Sequence, residues 1–524
     1  MKRKFAFLLA LVMIFSLALS ACSGTPSSDE TPPTGSGSPS ASGSNAGRTD
    51  LNWQLFYEPT TLDPTYSPNA YDYDIIYQIF DTLFELDEGG YEDLRYSLCT
   101  SYEMNDEATE YILQIREGVK FHNGETLTAE DVAFTINRLT TSPTTSSRFT
   151  MIGRAEVTGD YTVTVYMATP CSRLPQLLTA CPTGIVCKSA IEEYGDASPE
   201  VAIGTGAYQV AEWTPGQGIK LEAFEEYWDG APAIKTVNYY VMSDVTAIRV
   251  RYEAGELDRI YAQGAEDMEE FGSNPANTAH QYTLSSTTNL CFNTTRSVLS
   301  NPKIRQAISH AINQEDLVML VTGGLWKVSN SFVPAAAQGA TDDVPEYEYN
   351  PELAKQLLDE AGYNGEPIKL MFYSNSAASS GVATVIQAYL NAVGINVEMD
   401  GAETAAVTQR VADRDFDMTL LELTFSLPYS VVTYNSLFHS DGYYNVFGWK
   451  NEEIDQIIED VYVTVDTEQM NNMLQQVNIA TLEECLYVPL YCGGGTYFTP
   501  SDLNLNTINE PATANIKIRY FTWG

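Results

Sequence analysis

SYEMNDEATEYILQIREGVKFHNGETLTAEDVAFTINRL, residues 101–139, carries the most legible fold information in the chain. Tyr111 to Arg116 alternate apolar and polar side chains, the period-2 pattern of a half-buried strand. A second short strand is expected at Val119 to Phe121, ending at the turn-forming pair Asn123-Gly124. A helix follows. Thr128 and Asp131 have the spacing of a capping box, worth about 1 kcal/mol, and Val132, Ile136 and Leu139 recur at i, i+4, i+7 on one apolar face. Nothing in the segment is chemically reactive, so it reads as scaffold.

Strand and helix signals alternate along the rest of the chain, the pattern of α/β lobes with largely parallel pairing. Asn301-Pro302 and Asn350-Pro351 each place an N-cap before a first-turn proline. Ile304, Ile308, Ala311 and Ile312 form one apolar stripe, Leu353, Leu357 and Leu358 another, and Gly362 and Gly394 close helices. Ile368 to Tyr373, Val382 to Val393 and Ile395 to Met399 read as strand, helix, strand with a right-handed crossover. No fixed-period repeat is present.

At the beginning, Lys2, Arg3 and Lys4 precede the apolar run Phe5 to Leu19, and small residues precede Cys22, the layout of a secretion signal over residues 1–21. Ser23 to Asp50 is almost wholly Ser, Gly, Pro, Thr, Ala and acid, a composition that buries too little apolar surface to offset its ordering entropy and predicts a flexible tether. The remainder is long enough for two or more cores. The 69 acidic against 28 basic residues give a net charge of −41, which repels nucleic acid and anionic lipid and argues against both as partners of the body. No later stretch offers the roughly 18 consecutive apolar residues of a membrane span. Seven cysteines follow Cys22, an odd number without CxxC spacing, so they read as small buried hydrophobes; the four histidines lack the helical i, i+4 spacing of a zinc pair. Neither metal nor cofactor is expected.

The opening segment resembles the signature of the family 5 extracellular solute-binding proteins, the dipeptide and oligopeptide receptors of ABC importers. The matching residues are Leu113, Arg116, Gly118-Val119-Lys120-Phe121, Asn123-Gly124, Leu127-Thr128-Ala129, Asp131-Val132 and Arg138. The resemblance continues in order through Leu62-Asp63-Pro64, Gly204-Thr205-Gly206-Ala207-Tyr208, Trp213, Tyr227-Trp228 and Gly255-Glu256-Leu257-Asp258. Beyond them come Phe292-Asn293-Thr294, Val298 to Asn313, Asn350 to Gly362 and Phe416-Asp417-Met418. Leu19-Ser20-Ala21-Cys22 likewise looks like a bacterial lipobox. It implies that Cys22 is the lipidated amino terminus, on which paired acyl chains, at roughly 0.8 kcal/mol per buried methylene, hold the protein to the membrane where one chain binds reversibly.

The resemblance implies an α/β, two-lobed periplasmic-binding-protein fold of type II, the large cluster C form, with an inserted subdomain in the first lobe. By that implication residues 22–50 are anchor and linker. Residues 51–90, 201–287 and 491–524 form the main sheet of lobe I, 91–200 the insertion, and 288–490 lobe II. It also implies a monomer that binds a peptide or other small solute, meets an ABC permease, touches the membrane only through its lipid anchor and is not an enzyme. Ligand-contacting positions carried over are Pro68, Asn69 and Ala70 after the Leu-Asp-Pro motif, and Glu422, Leu423, Thr424, Phe425 and Ser426 after Phe416-Asp417-Met418. Here the sequence departs from the family. The aspartate that holds the ligand's α-ammonium in peptide receptors aligns with Ser426, and the family tryptophan with Leu423. A serine supplies no buried counter-charge. Glu422, Thr424 and Ser426 alternate along the expected strand and share a face, so Glu422 is the candidate replacement carboxylate. Tyr429 and Trp449 are candidate pocket aromatics.

Two other readings stand beside this one. The same fold can bind an oligosaccharide, an opine or a metal chelate, or serve a signalling receptor, and Ser426 favours such a shift. A secreted hydrolase is the remoter alternative: GxSxG, HExxH and P-loop patterns are missing, and Gly204-Thr205-Gly206 lacks the third glycine of a dinucleotide fingerprint because position 209 is Gln.

Overall fold

The computed structural model describes residues 45, 47–68, 72–87, 90–323, 326–335, 337–425, 430–506 and 516–524. The expected signal, lipobox cysteine and tether up to residue 44 lie outside the described residues, as do Asn69, Ala70, Ser426 and Tyr429. Residues 45–524 form one compact unit.

The opening segment folds much as its pattern predicts. Glu110–Ile115 is a strand in an antiparallel four-stranded sheet, between Cys99–Met104 and Thr162–Met167, with Ile152–Gly159 at the edge. Thr128 caps the helix Ala129–Leu139, its amide donating to Asp131 Oδ2 at 2.9 Å. Tyr111, Leu113 and Ile115 on the sheet and Val132, Ile136 and Leu139 on the helix bury into one core. Val119 to Phe121, expected as a strand, instead makes a single bridge, Lys120 to Thr126. The Phe121 amide donates to Glu125 O at 2.8 Å around the Asn123-Gly124 turn. The chain must enter the helix just after Leu127, so too few residues remain on the return side to extend a ladder.

A second four-stranded sheet has the order Asp50–Leu55, Thr236–Val241, Gly218–Ala223, Tyr208–Thr214. The helix Tyr73–Ile79 packs on it with its end closed by Gly204-Thr205-Gly206, where the Gly206 amide donates to Ile79 O at 2.8 Å. A Cβ on Gly204 would stand 2.0 Å from Ile79 O and one on Gly206 2.5 Å from Ile79 C, which is why the motif needs glycines here. The terminal stretch 516–524 returns to this core: Ile518 and Phe521 are fully buried, and Lys517 and Arg519 donate to the buried Glu85 at 2.7 and 2.8 Å.

The largest sheet is built on two long strands, Asn277–Phe292 and Tyr487–Pro500, paired antiparallel. Ile260–Tyr261 pairs with one end of Tyr487–Pro500, whereas Met418–Thr424 pairs with the other half of Asn277–Phe292, followed by Ile368–Tyr373 and Val397–Ala402. The register slips between Thr283 and Thr287, opposite the run Gly493-Gly494-Gly495. One face of this sheet packs Leu290, Leu370 and Leu420 against helices that include Pro302–Ala311 and Ala377–Ala392. The other packs Met371, Leu421 and Phe425 against helices that include Ser430–Phe438 and Thr467–Glu483.

Both predicted asparagine caps form, Asn301 accepting from the Lys303 amide and Asn350 from the Leu353 amide, each at 3.0 Å. The strand–helix–strand unit is parallel, as Ile368–Tyr373, Ala377–Ala392 and Val397–Ala402. Its helix begins five residues before the apolar periodicity does, because Ser376 caps a small-residue first turn that carries no hydrophobic signal. The expectation of largely parallel pairing is wrong. Among the described strands, Asp50–Leu55 with Thr236–Val241 and Ile368–Tyr373 with its two neighbours are parallel, and the other pairs are antiparallel. Short links such as 105–109, 160–161 and 215–217 permit only hairpins, since a parallel crossover needs about a dozen residues. Cys99, Cys171, Cys187, Cys291 and Cys485 are free and buried, and burial pushes the Cys485 thiol up to about 11.

Candidate functional site

The motif residues are occupied with holding the fold. Asp63 is fully buried, accepts from Arg138 Nη2 at 2.6 Å and receives the Thr65 and Ala197 amides. Asp258 accepts two 2.8 Å bonds from Arg48 and a third from the Asn52 amide. Trp228 donates to Asp81, the Asn293 amide to Arg414 O and Phe416 O, and Arg305 to the carbonyls of Cys485, Leu299 and Glu484. His122 bridges two motifs: its Nε2 donates to Gly206 O at 2.9 Å while Nδ1 accepts from the Gly204 amide at 3.3 Å. That arrangement needs the neutral ring, and burial lowers its pKa to about 4.

A candidate site remains on the large sheet. Register places Glu422 opposite Thr288 and Thr424 opposite Ser286, while Thr288 faces Tyr491 on its other side. Met418 and Leu420 enter the core on one face of their strand and Leu421 enters the core on the other, so alternation puts Glu422 on the Met418 and Leu420 face, one step past the buried pair. Its carboxylate is exposed and accepts from Ser286 Oγ at 3.3 Å. The Tyr491 ring lies 5.0 Å from Trp326. Burial raises the pKa of Tyr491, with the Glu422 charge adding to it, so it keeps its proton as a donor. A carboxylate acceptor, hydroxyls and an indole wall suit the capture of an ammonium or amide group.

The other predicted positions divide clearly. Pro68 is exposed, next to Ser67, whose Oγ donates to Asp72 at 2.7 Å. Thr424 is described through its backbone pairing alone. Leu423 is half-buried against the core, and Phe425 is wholly buried, 6.0 Å from Phe332 and 5.8 Å from Tyr434 between ring centroids. Trp449 packs on the same core. Cys22, Asn69, Ala70, Ser426 and Tyr429 fall outside the described residues. Ser286, Thr288, Trp326 and Tyr491 escaped the sequence reading because no local pattern marks them; the sheet alone joins them to Glu422, while Tyr373 on the neighbouring strand packs on the opposite face.

Comparison with known proteins places this architecture. A family model described as bacterial extracellular solute-binding proteins, family 5 Middle, matches residues 93–445. The chain belongs to this family. The oligopeptide-binding protein AppA of Bacillus subtilis is 28% identical over 537 residues, covering 96% of each chain. The glutathione-binding protein GsiB of Escherichia coli K12 is 24% identical, covering 82% of this chain and 86% of GsiB. Among solved structures, AppA in complex with a nonapeptide matches 91% of this chain and 99% of its own, with TM-score 0.73 and 26% identity. NikA from Brucella suis in complex with Fe(III)-EDTA matches 91% and 100% with TM-score 0.81 at 24% identity, a likeness of fold. As a family 5 protein the chain has the two-lobed, mixed α/β type II fold, and the relatives it matches are named as binding proteins.

Proposed function

We propose that this family 5 protein is the lipid-anchored receptor of an ABC importer, taking a peptide between two lobes and delivering it unchanged to the permease. The observation that carries the reading is Glu422, an exposed carboxylate on a sheet face beside Ser286, Thr288 and Tyr491, four residues before Ser426, which aligns with the ligand-holding aspartate of peptide receptors. The likeness to AppA over nearly the whole of both chains supports a peptide as cargo.

In this reading residues 51–90, 201–287 and 491–524 with the insertion 91–200 make one lobe and 288–490 the other. The hinge lies in the two long strands where their register slips. A solute that touches both lobes only when they close shifts the equilibrium toward the closed form. Moving it from 1:99 to 99:1 takes a preference of about 10⁴-fold, roughly 5.5 kcal/mol, within reach of several hydrogen bonds and one charge pair. The extended peptide pairs through its main chain with Pro68, Asn69 and Ala70 and with residues 422–426, which gives affinity without demanding particular side chains. Cys22 carries the acyl anchor on the outer face of the cell membrane, and the protein acts as a monomer.

Ser426 gives a second reading its footing. Without the family aspartate, a non-peptide solute such as an oligosaccharide, opine or metal chelate is the alternative cargo. Native mass spectrometry of the protein purified without refolding, with sequencing of whatever is retained, separates the two. Peptide titration of Glu422→Gln then tests the counter-ion: about a tenfold or greater loss of affinity is expected for a charged hydrogen bond, and unchanged affinity removes Glu422 from the site.

A further inference from the structure

Arg259 follows directly on the Gly255-Glu256-Leu257-Asp258 motif and is 2% exposed. Its guanidinium is stacked between two rings, with Cζ 4.0 Å from the Trp53 centroid and 4.9 Å from that of Tyr261. Nη2 donates to Gln54 O at 3.3 Å and reaches Asp74 Oδ2 at 3.5 Å, longer than the roughly 2.7–2.9 Å of a close charged pair. Nε and Nη1 have no partner, and neither has the buried Trp53 Nε1 on the same stack. An arginine keeps its charge in proteins, so a buried guanidinium with two vacant donor edges holds an unmet demand for an anion or acceptor.

Tyrosines stand around this cation. Tyr261, Tyr282 and Tyr497 form a triad with ring centroids 5.8, 5.8 and 6.2 Å apart, on three neighbouring strands beside the register slip. Tyr261 and Tyr282 are half-buried. Tyr261 also forms a wall, with Phe56, Ile248 and Gln263, of a cavity of about 310 Å³, so open space lies beside it. Buried donors under partly open phenol rings are the makings of a carboxylate site: the rings exclude water from the guanidinium and the hydroxyls can supply further donors.

We propose that Arg259, with Tyr261, Tyr282 and Tyr497, forms a subsite for a carboxylate of the bound solute. The inference rests on the peptide reading and sharpens it: the solute carries a free C-terminal carboxylate or an acidic side chain. Arg259 then selects ligands by charge, and its unmatched donors in the empty protein become matched on binding.

The test uses matched synthetic peptides of two to nine residues, one series with a free C-terminal carboxylate, one with a C-terminal amide and one amidated with a terminal Glu, titrated by calorimetry into the purified protein. Wild type is expected to bind at least one carboxylate-bearing series about tenfold or more tightly than the plain amide, the worth of one charged hydrogen bond, and Arg259→Met to erase that ratio. The free-acid and Glu-amide series tell a terminal from a side-chain carboxylate. Tyr282→Phe, which keeps the ring and removes one hydroxyl, is expected to reduce the ratio, and it decides the matter if Arg259→Met does not fold by circular dichroism. Equal affinities for all three series in wild type, or a ratio unchanged in the variants, overturns the subsite. If no peptide of any series binds, the peptide reading fails and the subsite is judged by melting temperature in sodium acetate against acetamide at constant ionic strength. Stabilisation by acetate in wild type that the variants lack upholds it, and equal responses overturn it.

Discussion

His122 should make the fold lose stability in mild acid, by an amount set by its surroundings. Its Nε2–H is spent on Gly206 O and its Nδ1 lone pair on the Gly204 amide, so a second proton on the ring would break the latter bond and place a charge in a buried site. Burial holds the folded pKa at about 4, below the ordinary 6.5. The folded state therefore takes up fewer protons than the unfolded one between these values. The stabilising contribution is fully present above pH 6.5 and is lost as the pH falls toward 4. At about 1.36 kcal/mol per pKa unit the whole effect is about 3 kcal/mol, of which about 2 kcal/mol is gone by pH 5. The assay is urea unfolding of wild type and His122→Gln at several pH values from 8 to 5. Buried carboxylates raised by desolvation, such as Asp81 and Asp258, slope the opposite way but are common to both proteins and cancel in the difference. The variant should start less stable and then close about 2 kcal/mol of the gap by pH 5. Parallel curves would refute the reasoning, because they would mean that the ring already carries its proton or titrates as it does in the unfolded chain.

Two further outcomes are expected. Cys22→Ala should release the protein from the membrane fraction into the external medium without changing its melting temperature; retention on the membrane removes the lipid anchor. Asp63→Ala should cost about 3 kcal/mol in urea unfolding, the low end for breaking a buried ion pair because Asp196 still accepts from Arg138 at 2.6 Å, and Asp63→Leu combined with Arg138→Met should regain much of it. A single-variant loss under about 1 kcal/mol would show that this pair does not anchor the helix Ala129–Leu139 and its four-stranded sheet to the rest.

Much of the local structure was legible because its causes are local. The Thr128 capping box, the Asn301 and Asn350 caps and the strand–helix–strand of 368–402 depend on side chains within a few residues of one another. The helix starting at Ala377 and the missing strand at Val119 mark where that reasoning stops. A first turn of small residues has no hydrophobic period, and an apolar triplet becomes a strand only if a partner edge is free to receive it.

Family membership, the charge of −41 and the alternation that sets Glu422 on the face of Met418 and Leu420 follow from the sequence alone. Which groups Glu422 meets does not. Ser286 and Glu422 are 136 positions apart, and Arg259 finds Trp53 from across the chain. Side-chain direction repeats every two residues in a strand and every 3.6 in a helix, so it can be read from neighbours, whereas strand order and register are settled by which distant faces bury together. The motif aspartates and arginines were visible as a pattern, but only the folded chain shows that they are spent on holding its cores.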